Sequence, residues 1–447
     1  MTRILLVNPH ETEQDGFSNP PLGLLYIAGT LLQHGFDVRV IDGCLEGLPG
    51  IRKSIVEFQP EYIGITCLTP GRKKALTVAR VAKEIIPHIT VVLGGPHPTI
   101  MWKQMLEHYP DIDYIVIGEG EITFLELVQS QTDPSLIPGL VFRRHGQIVK
   151  TPPRKYAEDL DQLPFPAWHL IDLHRYPARG EGYFRGIDLA REPRISVIFS
   201  RGCTGHCDFC STWWIWKGWR HRSAVNMVDE LQLLKERHGM RHFCFADDAM
   251  TVDRTSIIAL CHELIVRKLN IAFRLTTRTD CVDKEMLHLL SKAGCYRISF
   301  GIETGSPELL KKMSKENDIA TSEQAIALCK DAGIKVTALM IIGNVGESEH
   351  TIRETVAFLR RTKPDELACV GGLWVLPGTK LYQQCRRKGL IDDDYWLGDS
   401  PYMLYLNEFT PEQIEVMKLK VFGYRRIHQK ILLRLRRMIQ KIRLAAP

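Results

Sequence analysis

Apolar and polar positions alternate along the first 130 residues in two rhythms. Short aliphatic runs at Ile4–Val7, Val38–Ile41, Tyr62–Ile65, Thr90–Leu93 and Tyr114–Ile117 read as strands. Between them, Leu22–His34, Arg72–Ile86 and Ile100–His108 place apolar residues at helical intervals. Strand following helix in this order predicts a parallel sheet covered on both faces. The strand runs end in Gly, Pro or small polar residues: Asn8-Pro9, Thr66 to Gly71, Gly94-Gly95-Pro96-His97-Pro98 and Gly118-Glu119-Gly120-Glu121. Open α/β sheets hold ligands at such carboxyl ends, although plain tight turns use the same residue types.

Residues 137–180 carry Pro138, Pro152, Pro153, Pro164, Pro166 and Pro177 and read as a surface connector. A second strand–helix series starts at Ile195. Strands are expected at 195–200, 242–246, 271–275, 296–300, 335–342 and 368–375, with helices near 223–238, 253–267, 283–292, 322–332 and 348–361. Six such units fall short of a closed eight-stranded barrel, so an open, partial barrel is expected, with its chemistry at the carboxyl ends of the strands. The expected organisation is α/β throughout. An open parallel sheet spans 1–135, a connector 136–188, a partial (β/α)6 barrel 189–380, and a small helical region 381–447.

Apolar content of 45% and charged content of 25% are those of an ordinary globular protein. No apolar run approaches a membrane span, and Met1–Val7 is too short for a signal peptide. Nine of the 12 cysteines are scattered singly, the pattern of buried thiols in a reducing cytoplasm. The net charge of +6 is uneven: residues 416–447 hold ten Lys or Arg and no acid. Ile427, Ile431, Leu435, Met438 and Ile442 recur there at helical spacing, which predicts a basic amphipathic helix. Docking on its own domain is the plainer role; an anionic lipid surface or an acidic protein are the functional ones. Nothing elsewhere supports nucleic-acid binding.

The remaining cysteines are concentrated. Cys203, Cys207 and Cys210 form a Cys-x3-Cys-x2-Cys run directly after the strand Ile195–Phe199. Three thiolates in eight residues suit three corners of a cubane [4Fe–4S] cluster, leaving the fourth iron open to a small molecule. Zinc is the competing reading, but no nearby Cys or His pair completes a tetrahedral set, and His206 inside the run is badly placed to close one. Trp213, Trp214 and Trp216 crowd just beyond. They either shape a pocket beside the cluster or pack two domains together.

With Phe209 ahead of its third cysteine, the run resembles the signature of radical S-adenosylmethionine (SAM) enzymes, over roughly residues 190–380. The resemblance implies that SAM chelates the open iron and, cleaved by one electron, yields a 5′-deoxyadenosyl radical that abstracts hydrogen. It places Phe209 against adenine, where a core phenylalanine is the alternative. It assigns the SAM amino group to Asp247 and Asp248, the carboxylate to Arg278, and further SAM contacts to Glu303, Gly343 and Leu376. Asp248 or Asp253 serving only as a helix cap is the alternative there. Val345 stands where the family usually has proline.

The first 130 residues resemble the Rossmann-like or flavodoxin-like cobalamin-binding domain fused ahead of many radical SAM modules. The shared pieces are Pro20–Ala28, Gly94–Pro98, Gly118–Glu121 and the connector's Glu158–Pro166. The resemblance implies cobalamin contacts from Asn8, Pro21, Leu22, Gly23, Thr66, Cys67, Leu68, Thr69, Gly94, Gly95, Pro96, His97, Gly118, Glu119 and Gly120. No Asp-x-His-x-x-Gly run is present, so no histidine is placed to bind cobalt from below. The loop Thr66–Thr69 would face that side, and Cys67 reads better as a buried thiol than as a ligand.

Together these imply a cobalamin-dependent radical SAM methyltransferase. It would transfer a methyl group from methylcobalamin to a substrate carbon radical, with no catalytic side chain beyond the cluster ligands. A radical SAM cyclase or dehydratase with a cobalamin-like domain is one alternative; an Fe–S sensor without SAM cleavage is another. The expected cofactors are the [4Fe–4S] cluster, SAM and cobalamin, served by an external one-electron reductant. The substrate is left open among a small molecule, a lipid and a protein side chain.

Overall fold

The computed structural model of the chain describes residues 1–9, 19–129, 133–398 and 408–425. β1 (Arg3–Asn8) runs through the first sheet with Ile4, Leu5, Leu6 and Val7 all buried, as an unbroken apolar run should be in a sheet covered on both faces. β2 (Asp37–Asp42) pairs with one edge of β1 and β3 (Tyr62–Thr66) with the other; β4 (Thr90–Gly94) and β5 (Tyr114–Val116) follow, all parallel. The order 2-1-3-4-5 changes direction between β1 and β3, the point where such sheets open a crevice at their carboxyl ends.

Helices α1 (Leu22–Gln33) and α5 (Glu121–Gln129) bury their apolar stripes against one face of this sheet. Helices α2 (Gly43–Phe58), α3 (Arg72–Ile85) and α4 (Pro96–His108) cover the other. The apolar pattern gives no sign of α2, because Pro49 and Gly47 interrupt it; the helix kinks there, with Gly47 at φ 62°. Helix α4 starts four residues earlier than the pattern predicts. Pro96 at its first position needs no partner for a missing N–H, and Gly95 turns into it at φ 103°. A Cβ on Gly95 would stand 2.9 Å from the Cys67 carbonyl oxygen, so only glycine lets β4 approach the β3 loop this closely.

The sheet extends beyond the expected boundary at residue 135. β6 (Leu140–Arg144) and β7 (Gln147–Lys150) add an antiparallel hairpin on the β5 edge. Pro138, Pro152 and Pro153 flank that hairpin and leave its ladder intact, so proline content alone misled here. The rest of the connector is packed down. Ala167 donates its N–H to the Leu25 carbonyl at 3.0 Å, and buried Trp168 donates Nε1–H to Glu230 at 3.0 Å. It ends in a small hairpin, β8 (Tyr183–Phe184) and β9 (Ile187–Asp188).

In the second half, β10 (Arg194–Val197) is followed by a small ladder of β11 (Ser200–Gly202) with β12 (Trp219–His221), which brackets the cysteine run and α6 (Thr212–Trp216). Then come α7 (Ala224–His238), β13 (His242–Phe245), α8 (Arg254–Val266), β14 (Ala272–Thr277), α9 (Lys284–Ala293) and β15 (Cys295–Glu303). They are followed by α10 (Pro307–Lys312), α11 (Ile319–Asp331), β16 (Lys335–Ile342), α12 (Glu349–Thr362) and β17 (Glu366–Gly371). The six main strands are parallel and lie in chain order, β10-β13-β14-β15-β16-β17. Without a reversal, right-handed crossovers keep the helices on one side. β10 and β17 remain as edges, so the expected partial barrel is what forms.

Beyond the barrel, α13 (Lys380–Arg387) and α14 (Pro411–Phe422) pack inward through Leu381, Tyr382, Met417 and Val421. Leu381, Tyr382, Leu373, Val375 and Trp396 share one apolar core with α3 and α4, so the two halves are joined by packing. The expected basic helix through Ile427–Ile442 lies outside the described residues. No helix among the described residues is long and apolar enough to cross a membrane.

Candidate functional site

The three cysteines sit at the carboxyl end of β10, where the barrel opens. Backbone bonds fix their loop: Cys210 N–H donates to the Cys207 carbonyl at 3.1 Å, Asp208 N–H to Met313 at 3.0 Å, and Leu381 N–H to Asp208 at 3.0 Å. Gly205 donates its N–H to the Cys203 sulfur at 3.3 Å. Burial pushes the Cys207 thiol up to about 11, opposed by the charge of Lys315; burial raises Cys210 as well. All three are free thiols. Among the described residues no three His, Cys, Asp or Glu side chains converge on a point where one ion could sit. Cluster corners need no such convergence, and the donor set fits a cubane.

Two cations border the loop. A Cβ on Gly205 would fall 2.4 Å from Arg278 Nη1, so the guanidinium lies directly over the cysteine run. Arg278 is bound on its other edge by Asp280 at 2.6 and 2.9 Å and by the Glu316 carbonyl at 2.8 Å. Lys315 is buried and pairs with Glu303 at 3.0 Å beside Cys207. Positive charge at these positions offsets the negative charge of a thiolate-bound cluster. Glu303 itself sits at φ 66°, on a register shift in the β15–β16 ladder. A non-glycine residue in this region is a local strain that turns its carboxylate back into the mouth of the barrel.

The paired acids after β13 part company. Asp247 is buried and faces the backbone of the cysteine loop, accepting the Phe199 N–H at 3.3 Å, the Ser200 hydroxyl at 2.5 Å and the Ser200 N–H. Burial raises its carboxyl to about 7, partly offset by these bonds. Its expected contact with SAM is corrected: its oxygens are spent on positioning the loop. Asp248 is exposed at the mouth and accepts a bond from the Thr212 hydroxyl at 3.1 Å, while Asp253 is the cap of α8.

Of the remaining SAM candidates, Gly343 is buried at φ 90°, in a turn whose N–H groups are gathered by Glu347. Leu376 opens a turn closed by Thr379, whose Gly378 abuts Ile100 of α4. Phe209 packs half-buried against the shared core and, with Val345, Met313 and Leu381, lines a cavity of about 240 Å³.

A second cavity, about 260 Å³, opens at the seam between the halves. The first sheet contributes Thr66, Gly94, Gly95, Pro96, Gly118 and Gly120; the barrel contributes Arg201 and Trp216. A Cβ on Gly23 or Gly94 would meet nothing within 4 Å, so these glycines keep the cavity open and are not demanded by packing. This glycine-walled, largely apolar space at the strand ends fits part of a large planar cofactor.

One of the expected cofactor contacts proves to be the clasp of the seam. Glu119 accepts from Arg201 Nη1 at 2.7 Å, from Arg220 at 3.0 and 3.2 Å, and from the Ala157 N–H at 3.0 Å. Arg201 also reaches Glu121 at 2.7 Å. Burial tends to raise the Glu119 carboxyl, but bonds and charge from Arg220 and Arg201 hold it below the usual range.

Other expectations at the sheet's edge are corrected as well. His97 is buried, hydrogen-bonded to the Thr69 hydroxyl at 3.1 Å and set edge-on to Trp396. Burial, and then the charge of Arg72, holds its imidazole down to about 3. It is a neutral packing residue. The loop Thr66–Thr69 alternates: Cys67 and Thr69 point into the core, and Leu68 is exposed. Burial lifts the Cys67 thiol to about 12, which leaves it protonated and unsuited to cobalt. Leu22 belongs to the core below α1, Pro21 caps that helix, and Asn8 donates to Asp42 at 2.8 Å.

The tryptophans divide similarly. Trp216 lines the seam cavity under Arg201, Trp213 meets His206 at a tilt of 55° with ring centres 3.9 Å apart, and Trp214 is exposed. Sequence reasoning missed Arg201, Arg220, Glu121 and Lys315. Arg201 was findable, since it stands two residues before Cys203; Lys315 belongs to no strand end and carries no local signal.

Comparison with known proteins agrees with this arrangement. The radical SAM superfamily model matches residues 197–359, and the B12 binding domain model matches residues 13–128. An uncharacterized methyltransferase of Pyrococcus horikoshii is 30% identical over 97% of this chain and 94% of its own length. The anaerobic magnesium-protoporphyrin IX monomethyl ester cyclase of Rubrivivax gelatinosus is 34% identical over 81% of this chain, which spans 66% of that protein. Among solved structures, the radical SAM methyltransferase TsrM of Kitasatospora setae, with cobalamin and a [4Fe–4S] cluster bound, shares the fold. Its TM-score is 0.72 at 21% identity, covering 93% of this chain and 85% of that one.

Proposed function

The chain belongs to the cobalamin-dependent radical SAM methyltransferases, and we propose that it transfers a methyl group to a carbon atom of its substrate across the seam between its two halves. The observation that carries this reading is the shared cavity. Thr66 at the end of β3 and glycines at the ends of β4 and β5 form one wall, and Arg201 and Trp216, which bracket the cysteine run, form the other. When bound, the cluster and SAM supply hydrogen-atom abstraction from carbon, and cobalamin supplies the methyl group.

The protein's own part is binding, orientation and exclusion of water. Cys203, Cys207 and Cys210 would hold three irons of the cluster, and Gly205 N–H steadies the Cys203 sulfur. Arg278 Nη1 is aimed over the loop, where it would meet a carboxylate of SAM; Asp248 and Glu303 at the mouth would suit its ammonium group. Thr66 lines the space in front of β3, while Gly94, Gly95 and Gly118 let a flat ligand approach the backbone. Trp213, Trp214 and Trp216 provide apolar cover beside the cluster. An external one-electron donor is required, and the free, scattered cysteines suit a reducing cytoplasm.

The cyclase relative supports a second reading, in which the same fold removes hydrogen without transferring methyl. One anaerobic incubation with reductant, SAM and cobalamin separates the two. Four irons, one corrin and 5′-deoxyadenosine per chain are expected, with methylated product once substrate is supplied. Iron and 5′-deoxyadenosine without corrin would favour the cyclase or dehydratase class. Cys207→Ala should lose 5′-deoxyadenosine formation and most iron; turnover retained in that variant would remove the cluster assignment.

A further inference from the structure

The amino ends of the barrel strands, opposite the cysteine loop, hold a concentration of positive charge that the proposed reaction does not use. On the inward face, Arg194 of β10 is in register with His242 of β13, and Cys244 of β13 with Arg274 of β14. Arg274 in turn lies directly opposite Arg297 of β15. Residues in register on neighbouring strands project to one face, and like charges placed so repel.

Arg297 is neutralised by Glu366 and donates to the Thr337 hydroxyl at 3.0 Å. Its neighbours are not neutralised. Among the described residues no carboxylate pairs with Arg194 or Arg274. Arg274 donates to the Ser299 hydroxyl at 2.7 Å, and Arg194 donates Nη1–H to the Arg179 carbonyl at 2.9 Å. The Arg194 Nε is buried with no hydrogen-bond partner at all. A buried guanidinium N–H left unmatched, beside a second guanidinium without an acid, is a costly arrangement for a protein alone. An anion would relieve it.

The floor also has room. A cavity of about 390 Å³ is lined by four cations, Arg179, Arg274, Arg297 and Lys335, and three acids, Glu181, Asp365 and Glu366, with Tyr296 and Phe184 beside them. Glu366 is taken up by Arg297, and Asp365 accepts the Val336 N–H at 2.8 Å. We propose that this barrel floor binds an oxyanion, the phosphate or carboxylate group of a small molecule, held by Arg274 with Arg179 at the rim; Arg194 is not among the lining residues and adds positive charge from behind the wall. Guanidinium pairs match such groups with two parallel hydrogen bonds each. Tyr296 and Phe184, whose rings tilt together 5.8 Å apart, offer an apolar wall to the rest of the molecule. The site is separate from the cluster end. Arg297 and Glu303 lie on the same strand, and six residues of extended chain put them about 20 Å apart.

The test uses the full-length protein and thermal unfolding, titrated separately with inorganic pyrophosphate and with succinate at constant ionic strength in chloride. The expected result is a saturable rise in Tm, since a ligand of the folded state stabilises by RT ln(1 + [L]/Kd). Whichever probe saturates at lower concentration identifies the group as phosphoryl or carboxyl. Arg274→Gln should weaken that binding by roughly tenfold or more, while Arg237→Gln, an equal charge change on exposed α7, leaves it unchanged. A rise that never saturates, or one equal in Arg274→Gln, overturns the proposal. Phenylglyoxal labelling of the unaltered protein gives a second readout that needs no variant. Bound probe should slow modification of Arg274 and leave Arg237 unaffected; equal rates with and without probe overturn the site.

Discussion

Arg201 Nη1 lies 2.7 Å from Glu119 Oε1 across the seam, and both side chains are almost wholly buried. The arginine stands two residues before the first cysteine of the run, and the glutamate stands in the loop between β5 and α5. One ion pair therefore ties the cysteine loop to the glycine-walled cavity.

Removing one partner should be far worse than removing both. Arg201→Met leaves Glu121 and part of Glu119 buried without their charge partner, and loss of a buried partner typically costs about 3–5 kcal/mol. The Arg201→Met/Glu121→Gln pair should recover part of that loss, because Arg220 still holds Glu119. Thermal unfolding of the two variants, with corrin loading alongside, measures this. Equal destabilisation of both would mean the clasp acts through Arg201 packing on Tyr26 and Trp216, and its charge is incidental.

The Glu303–Lys315 pair allows cluster and SAM to be separated. Glu303→Gln keeps the size of the side chain and its bond to Lys315 but removes the charge offered at the mouth. Iron content should stay unchanged while the KM for SAM rises by roughly tenfold, the loss of one charge-assisted hydrogen bond. Lys315→Met should act in the opposite sense, leaving SAM affinity closer to normal and lowering iron retention, since the cation beside Cys207 is gone. Iron analysis and SAM-dependent 5′-deoxyadenosine formation decide between these outcomes.

What the sequence revealed and what it hid follow one physical division. The cysteine run was legible because its three donors are held by local chain geometry within eight residues. The strand-end loops were legible because period-two and helical patterns mark where each strand stops. The Arg201–Glu119 clasp joins residues 82 apart, and no local pattern records such a pairing. The same limit misassigned Asp247 and His97: their residue types suit ligands, but their burial and partners are set by tertiary packing. Helix α2 was hidden differently, by Gly47 and Pro49 within it, which break periodicity at a kink that the packed helix tolerates.

Asp247 should impose a pH dependence. Its carboxyl titrates near 3.8 in the unfolded chain and is raised to about 7 in the fold. The folded state therefore binds the proton more tightly. The stability it contributes is complete below about pH 4 and is lost as pH rises to 7, by up to about 1.4 kcal/mol per pH unit. Asp247→Asn removes this slope and retains a carbonyl oxygen for Ser200. Relative to that variant, the parent protein should grow less stable between pH 4 and 7 and show no further change above 7. A constant difference across that range would show that Asp247 stays ionised.

His97 acts in the opposite sense over nearly the same range. Its imidazole titrates near 6.5 when unfolded and is held down to about 3 in the fold, so its stabilisation is complete above 6.5 and falls away with acid. Between about pH 4 and 6.5 this slope is opposite in sign to that of Asp247 and offsets it. His97→Asn keeps a side chain able to bond Thr69 but cannot protonate. It should gain on the parent by up to about 1.4 kcal/mol for each unit of acidification below 6.5. Corrin loading in this variant should remain within about twofold, because His97 faces Trp396 and Thr69 and is not among the residues lining the seam cavity. Loss of corrin without a change in the pH slope would instead place His97 against the cofactor.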